Sequence, residues 1–223
     1  MKALPIGYDD FKELRDGGLY YIDKSALIDQ ILSSKAKVLL FTRPRRFGKS
    51  LNLSMLDAYL NSRYAGGPDR FSDLAVSALR PDDPEKNSNF IIKLNFKRLK
   101  TKTFDLFLKS FSNAAIDLYR GFSELENSDR LDSVSKKRYA EIINGDASQS
   151  LLTSSIEYLC EMIDRHHGKR PIILIDEYDH PVNGSRGEPW SREMMDLVGG
   201  IMSETLKDND DLKFAIVTGV MQI

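Results

Sequence analysis

Cysteine is almost absent from the chain: among 223 residues there is only Cys160. That excludes an internal disulfide framework and any zinc site built from several cysteines. Cys160 sits among apolar residues at helical spacing, so it reads as core filling. A reactive thiol needs an electropositive, accessible setting. An excess of one charge is missing too, since 32 basic residues stand against 33 acidic ones. The chain as a whole therefore has no pull toward nucleic acid or an anionic membrane, and such binding would need a local patch. No run approaches the ~20 apolar residues of a membrane span. The stretch from Met1 to Leu14 lacks the apolar core of a signal peptide. Together these absences predict a soluble, cytoplasmic protein that makes no use of a membrane. Internal repeats and low-complexity tracts are also lacking.

What is present is ordinary globular composition, 41% hydrophobic and 29% charged, enough to bury one substantial core without metals or disulfides. Short apolar runs without strict alternation read as parallel strands covered on both faces. There are four: Lys37–Thr42, Phe90–Asn95, Pro171–Ile175 and Lys213–Thr218. Between them, apolar residues at three and four spacing predict helices, one through Phe104, Phe107, Phe111, Ala115 and Tyr119, another from Leu152 to Ile163, a third through Met194, Leu197, Val198, Ile201 and Met202. A short helix from Ser25 to Leu32 precedes the first strand, with Asp23 or Ser25 as N-cap. Loops are predicted at 64–69, 81–89, 123–135 and 182–189. The pattern is that of an α/β sandwich with one domain overall, an N-terminal segment over 1–36 leading into a core over 37–223.

The first strand runs into Arg43-Pro44-Arg45-Arg46-Phe47-Gly48-Lys49-Ser50, followed by a helix with Leu51, Met55, Leu56, Tyr59 and Leu60 toward one side. Strand, loop and helix in this order bring backbone N–H groups and a positive helix terminus onto one point, which suits nucleotide phosphates. In such a loop Gly48 allows close backbone approach, Lys49 bonds phosphate oxygens and Ser50 offers its hydroxyl to Mg2+. The segment from Arg43 to Leu51 is thus the candidate ATP-binding loop. Arg43 stands where the usual pattern has glycine, and Pro44 restricts Arg43 to extended conformations. Arg45 and Arg46 add charge that can offset the altered turn.

A phosphate loop needs an acidic partner, and Ile172-Ile173-Leu174-Ile175-Asp176-Glu177 supplies one at a strand's C-terminal end, where ligands bind in open α/β sheets. Asp176 is the metal-side carboxylate and Glu177 the residue that polarises attacking water. Asp179 reads equally as a further acid or as a cap beside Pro181. Thr218, at the tip of the last strand, is a candidate sensor of the γ-phosphate.

Four strings, Tyr20-Tyr21-Ile22-Asp23-Lys24-Ser25, the loop from Arg43 to Ser50, Asp176-Glu177-Tyr178-Asp179-His180-Pro181 and Thr218-Gly219, resemble the bacterial AAA-ATPase-like family. The resemblance implies that Arg43 belongs to the family's own loop variant, with the loop and the acidic strand end as Walker A and Walker B motifs. It implies a P-loop NTPase three-layer sandwich with a mostly parallel sheet and an AAA-type core, its order setting the P-loop strand beside the sensor strand and the Asp-Glu strand. Family members commonly continue into a further strand, a helical region and a restriction-enzyme-like nuclease domain. This chain ends at Met221-Gln222-Ile223 and so reads as a C-terminally truncated, N-terminal piece. A lid, a second sensor and a partner's arginine finger would then lie elsewhere.

The reading is a Mg2+-dependent ATPase: Lys49, Glu177 and Thr218 act on ATP while Ser50 and Asp176 hold the metal. The alternative is a nucleotide-gated switch that binds ATP or ADP with little turnover and regulates a downstream effector such as a nuclease. A homo-oligomer stays open, and nucleic acid would be reached through regions beyond this chain. His166 and His167 close a predicted helix, where cationic side chains suit the terminus. Lys93, Lys97, Arg98, Lys100 and Lys102 read as sheet-edge protection, with nucleic-acid contact as the lesser reading.

Overall fold

In the computed structural model, which describes residues 2–207 and 209–220, the four apolar runs become β1 (Val38–Thr42), β2 (Ile91–Asn95), β3 (Ile172–Asp176) and β4 (Phe214–Gly219). Each begins one residue later than its apolar run. All pairings are parallel, in the order β1-β4-β3-β2. The strand before the loop from Arg43 to Gly48 therefore adjoins the Thr218 strand, which in turn adjoins the Asp176 strand. Helices α1 (Phe11–Asp16) and α2 (Ala26–Ser33) precede β1, and α3 (Lys49–Leu60) and α4 (Ala75–Leu79) follow it. Between β2 and β3 run α5 (Phe104–Arg120), α6 (Ser133–Asn144), α7 (Gln149–Thr153) and α8 (Ser155–His167); α9 (His180–Gly184) and α10 (Ser191–Leu206) lead to β4.

Successive strand residues point to opposite faces, so β3 feeds two cores. Ile173 and Ile175 join Ile92, Leu94, Ala215 and Val217 under α5, α8 and α10. Ile172 and Leu174 join Ile91 and Ile216 on the other face, under α2 and α3. The result is helix layers on both sides of the sheet. In α5 the stripe Phe107, Phe111, Ala115 and Tyr119 is buried, and each aromatic ring so placed contributes on the order of 1.5–3 kcal/mol of apolar burial. Cys160 lies fully buried among these residues, and burial pushes its thiol pKa up to about 12. No helix of the described residues is long and apolar enough to cross a membrane.

Several local expectations change. Full burial on both faces holds for β3 but not for β1, whose Val38 and Leu40 are exposed while Leu39 and Phe41 pack inward. The stripe from Leu152 to Ile163 is split between α7 and α8, because the side chains of Thr153 and Ser155 donate to the carbonyls of Gln149 and Leu152 and so compete with helical bonding. Part of the predicted loop 123–135 is ordered: Leu125 and Leu131 are buried, and Asp132 caps α6 by accepting from the Ser135 amide at 2.7 Å. Residues 182–184 of the loop predicted at 182–189 belong to α9 (His180–Gly184). Neither Asp23 nor Ser25 caps α2 through its side chain. Their oxygens instead accept from the Ala75 and Val76 amides of α4.

Candidate functional site

The loop after β1 is tied at its start, where the Arg43 amide donates to the Gly219 carbonyl at 3.2 Å. Arg46 and Gly48 adopt φ of 67° and 75°, while Arg45 and Phe47 keep negative φ. Left-handed residues at alternate positions turn successive N–H groups toward a common concavity suited to an anion. Glycine carries this conformation freely at Gly48, whereas at Arg46 it costs about 1 kcal/mol or more. Gly48 is also the N-cap of α3, so the concavity and the helix terminus coincide. Lys49 is 93% buried, with a relative exposure of 7%, and its ammonium donates to the carbonyls of Arg43 and Pro44 at 2.8 and 3.1 Å. Arg43, Pro44, Arg45, Arg46 and Phe47 are exposed; Leu51 is half-buried.

Asp176, at the end of β3, is the focus of the second half. It is 4% exposed, and its two oxygens accept from three side chains: Ser50 at 2.7 Å, Thr218 at 2.5 Å and Asn95 at 3.3 Å. These donors come from three elements because the parallel register aligns the strand ends, with Asn95 opposite Asp176 and Ile175 opposite Val217. A carboxylate taken this far out of water needs such hydrogen bonds to offset its lost hydration. Thus Lys49, Ser50, Asp176 and Thr218, predicted from separate motifs, meet at one corner of the sheet.

Glu177 follows at φ 53°, and its half-buried side chain stands one residue beyond the cluster. The turn it opens is locked by the Tyr178 amide donating to the Thr218 carbonyl and the His180 amide donating to the Glu177 carbonyl. Asp179 resolves toward structure: it is 1% exposed, and its carboxylate accepts from the Asn183 side chain and the Val220 amide, both at 3.0 Å. It ties the turn to the exit of β4.

Sequence reading missed Asn95, although it ends an apolar strand with a polar residue just as Asp176 does. Its orientation is fixed because its carbonyl oxygen accepts the Lys97 amide at 2.9 Å, which leaves its NH2 to Asp176. The role of Gly219 was also missed. A β-carbon there would lie 2.6 Å from the Tyr178 ring. Away from the corner, His166 bonds the Ser128 hydroxyl and His167 stacks on Phe90 at 4.0 Å, both at the end of α8 as expected. Lys93, Lys97, Arg98, Lys100 and Lys102 are exposed around the outer strand β2, with Lys93 3.7 Å from Asp57.

A hydroxyl and a carboxylate are hard oxygen donors of the kind Mg2+ prefers. No group of three or more His, Cys, Asp or Glu is gathered as a metal cage among the described residues. A divalent ion at Ser50 and Asp176 would therefore need further oxygens from a ligand such as phosphate.

Comparison with known proteins agrees with the geometry. The model of the AAA-ATPase-like family, described as Predicted AAA-ATPase, matches residues 5–223. The chain is similar, at 27% identity over 230 residues, to an uncharacterized protein in the vnfD 5' region of Azotobacter chroococcum mcd 1. That match covers 98% of this chain and 37% of the relative, so the chain spans well under half of the relative's length. No solved structure gives a significant match. A four-stranded parallel sheet with its phosphate-type loop beside a buried acid is a P-loop NTPase-like fold, and with the family model matched over nearly its whole length the chain belongs to the AAA-ATPase-like family.

Proposed function

We propose that the chain is an ATP-binding, Mg2+-dependent ATPase module. The observation that carries this reading is the hydrogen bond of Ser50, first turn of the loop helix, to Asp176 at 2.7 Å. It joins the two halves that a nucleotide site requires. Lys49 and the loop amides from Arg46 to Ser50 bind the phosphates, with Arg43, Pro44, Arg45, Phe47 and Leu51 shaping the loop. Ser50 and Asp176 are the residues that would hold Mg2+, which when bound neutralises phosphate charge. Thr218 reads the γ-phosphate, and Glu177 takes a proton from the attacking water as the terminal P–O bond breaks. The alternative, a nucleotide-gated switch with little turnover, uses the same loop, and the left-handed φ of 53° at Glu177 is a backbone setting that costs energy to hold.

Hydrolysis separates these readings. Glu177→Gln should keep MgATP affinity within about twofold and lower turnover by roughly two or more orders of magnitude, as loss of a general base does. Equal turnover in both proteins removes Glu177 from the chemistry. Wild-type binding without turnover, also in the presence of DNA, favours the switch.

A further inference from the structure

Two cavities flank α3 at the corner, and their linings differ in charge. The larger, about 630 Å³, carries the carboxylates of Asp9, Asp10, Glu13, Asp117 and Asp176 against Lys93 and Arg98. The smaller, about 400 Å³, lies between α2, β1 and α3 and is lined by Lys24, Arg43 and Lys49 with no acidic residue. Its walls include Leu27, Phe41 and Phe47. Three cations facing one partly apolar cavity, with no carboxylate to balance them, suit a ligand that joins an anionic group to a flat apolar one. A nucleotide has that character, while the acidic cavity, which Ser50 and Asp176 also line, offers the cation side of the same corner.

Lys24 belongs to the string Tyr20-Tyr21-Ile22-Asp23-Lys24-Ser25, to which the phosphate loop and acidic strand assign no task. Its backbone is fixed on both sides. Asp23 accepts from the Ser25 and Ala75 amides, both at 2.7 Å, and the fully buried Ser25 accepts from the Val76 amide at 3.0 Å. Tyr21, edge-on to Phe11, donates to Met55 of α3. The exposed Lys24 side chain then reaches over the loop, and its ammonium is 3.8 Å from where a β-carbon of Gly48 would stand. The ammonium makes no hydrogen bond or ion pair with the described residues, while the Lys24 amide donates to the Tyr21 hydroxyl at 3.4 Å.

We propose that Lys24 is a second phosphate-binding cation, held over Gly48 by the anchored N-terminal segment and opposite Lys49, so that the nucleotide enters the smaller cavity. The proposal rests on the phosphate-site reading of the loop. It makes residues 20–25 a part of the binding site in place of a mere lead into the core.

Calorimetry on the full chain with MgATP tests it, using Lys24→Met and Lys24→Arg beside wild type. Lys24→Met should weaken MgATP roughly tenfold, as loss of one charged hydrogen bond does. Lys24→Arg should stay within about threefold, because the charge persists. The melting temperature without nucleotide should be equal in all three. Unchanged affinity in Lys24→Met, with wild type binding, overturns the Lys24 assignment alone. A lowered nucleotide-free melting temperature accompanying the affinity loss makes Lys24 structural and also overturns it. Wild type that binds no MgATP overturns the phosphate-site reading itself.

Discussion

Replacing Gly219 by alanine drives a methyl group into space that Tyr178 already fills. The added carbon would stand 2.6 and 2.9 Å from two ring carbons and 3.0 Å from an Asp179 carboxylate oxygen. Ordinary carbon contacts begin near 3.5 Å, so something must retreat by about 1 Å. Neither neighbour yields easily: Tyr178 is 7% exposed and packed in the larger core, and Asp179 is held by Asn183 and Val220. Overpacking of this kind costs about 1–3 kcal/mol. For a chain of this size each kcal/mol lowers the melting temperature by about 2–4 °C, so a fall of about 2–12 °C is expected. The damage should reach the site, because the Gly219 carbonyl holds the start of the phosphate loop through the Arg43 amide and the displaced turn carries Glu177. Urea denaturation followed by circular dichroism reads the stability, and MgATP titration reads the site. A Gly219→Ala protein with wild-type midpoint and wild-type affinity would refute the lock between Tyr178 and the end of β4.

The same substitution should act oppositely at Gly199. This exposed glycine lies inside α10 with nothing within 4 Å of an added β-carbon, so alanine should raise stability by about 0.5–1 kcal/mol through helix propensity. A lower midpoint in the same urea assay would contradict this. His167 sets a pH dependence: burial, its largest influence, holds its pKa below 6.5, outweighing the carboxylate of Glu124. A depressed folded pKa means a contribution present above pH 6.5 and lost as pH falls through the folded value. The stability gap between wild type and His167→Phe should therefore shrink from pH 7.5 to pH 5.5, and a gap that stays constant or widens contradicts it.

The fold was legible because each strand is a short apolar run ending in polar residues, and because the helix stripes Phe107-Phe111-Ala115-Tyr119 and Met194-Leu197-Val198-Ile201 bury as spaced. α6 stayed hidden since its sequence is mostly polar and only Ser135, Tyr139 and Ile142 are buried. The break at Ser154 depended on hydroxyls bonding carbonyls, which periodicity does not register. At the corner, Lys49, Ser50, Asp176 and Thr218 could be named from local strings. What joins them is register: Asn95 meets Asp176 only because β2 and β3 align at that level. Lys24 likewise depends on the tie between Ser25 and α4, across 51 residues of chain.

The central claim is that the loop from Arg43 to Ser50 is a phosphate site. Calorimetric titration of wild type and Lys49→Ala with MgATP tests it most directly. The buried ammonium of Lys49 is the loop's innermost charge, and removing a charged hydrogen-bond donor of that kind costs about 1.5–3 kcal/mol, roughly a 10- to 100-fold loss of affinity. Saturable binding by wild type with such a loss in Lys49→Ala is the predicted result; equal affinity in both, or no binding by wild type, would contradict it.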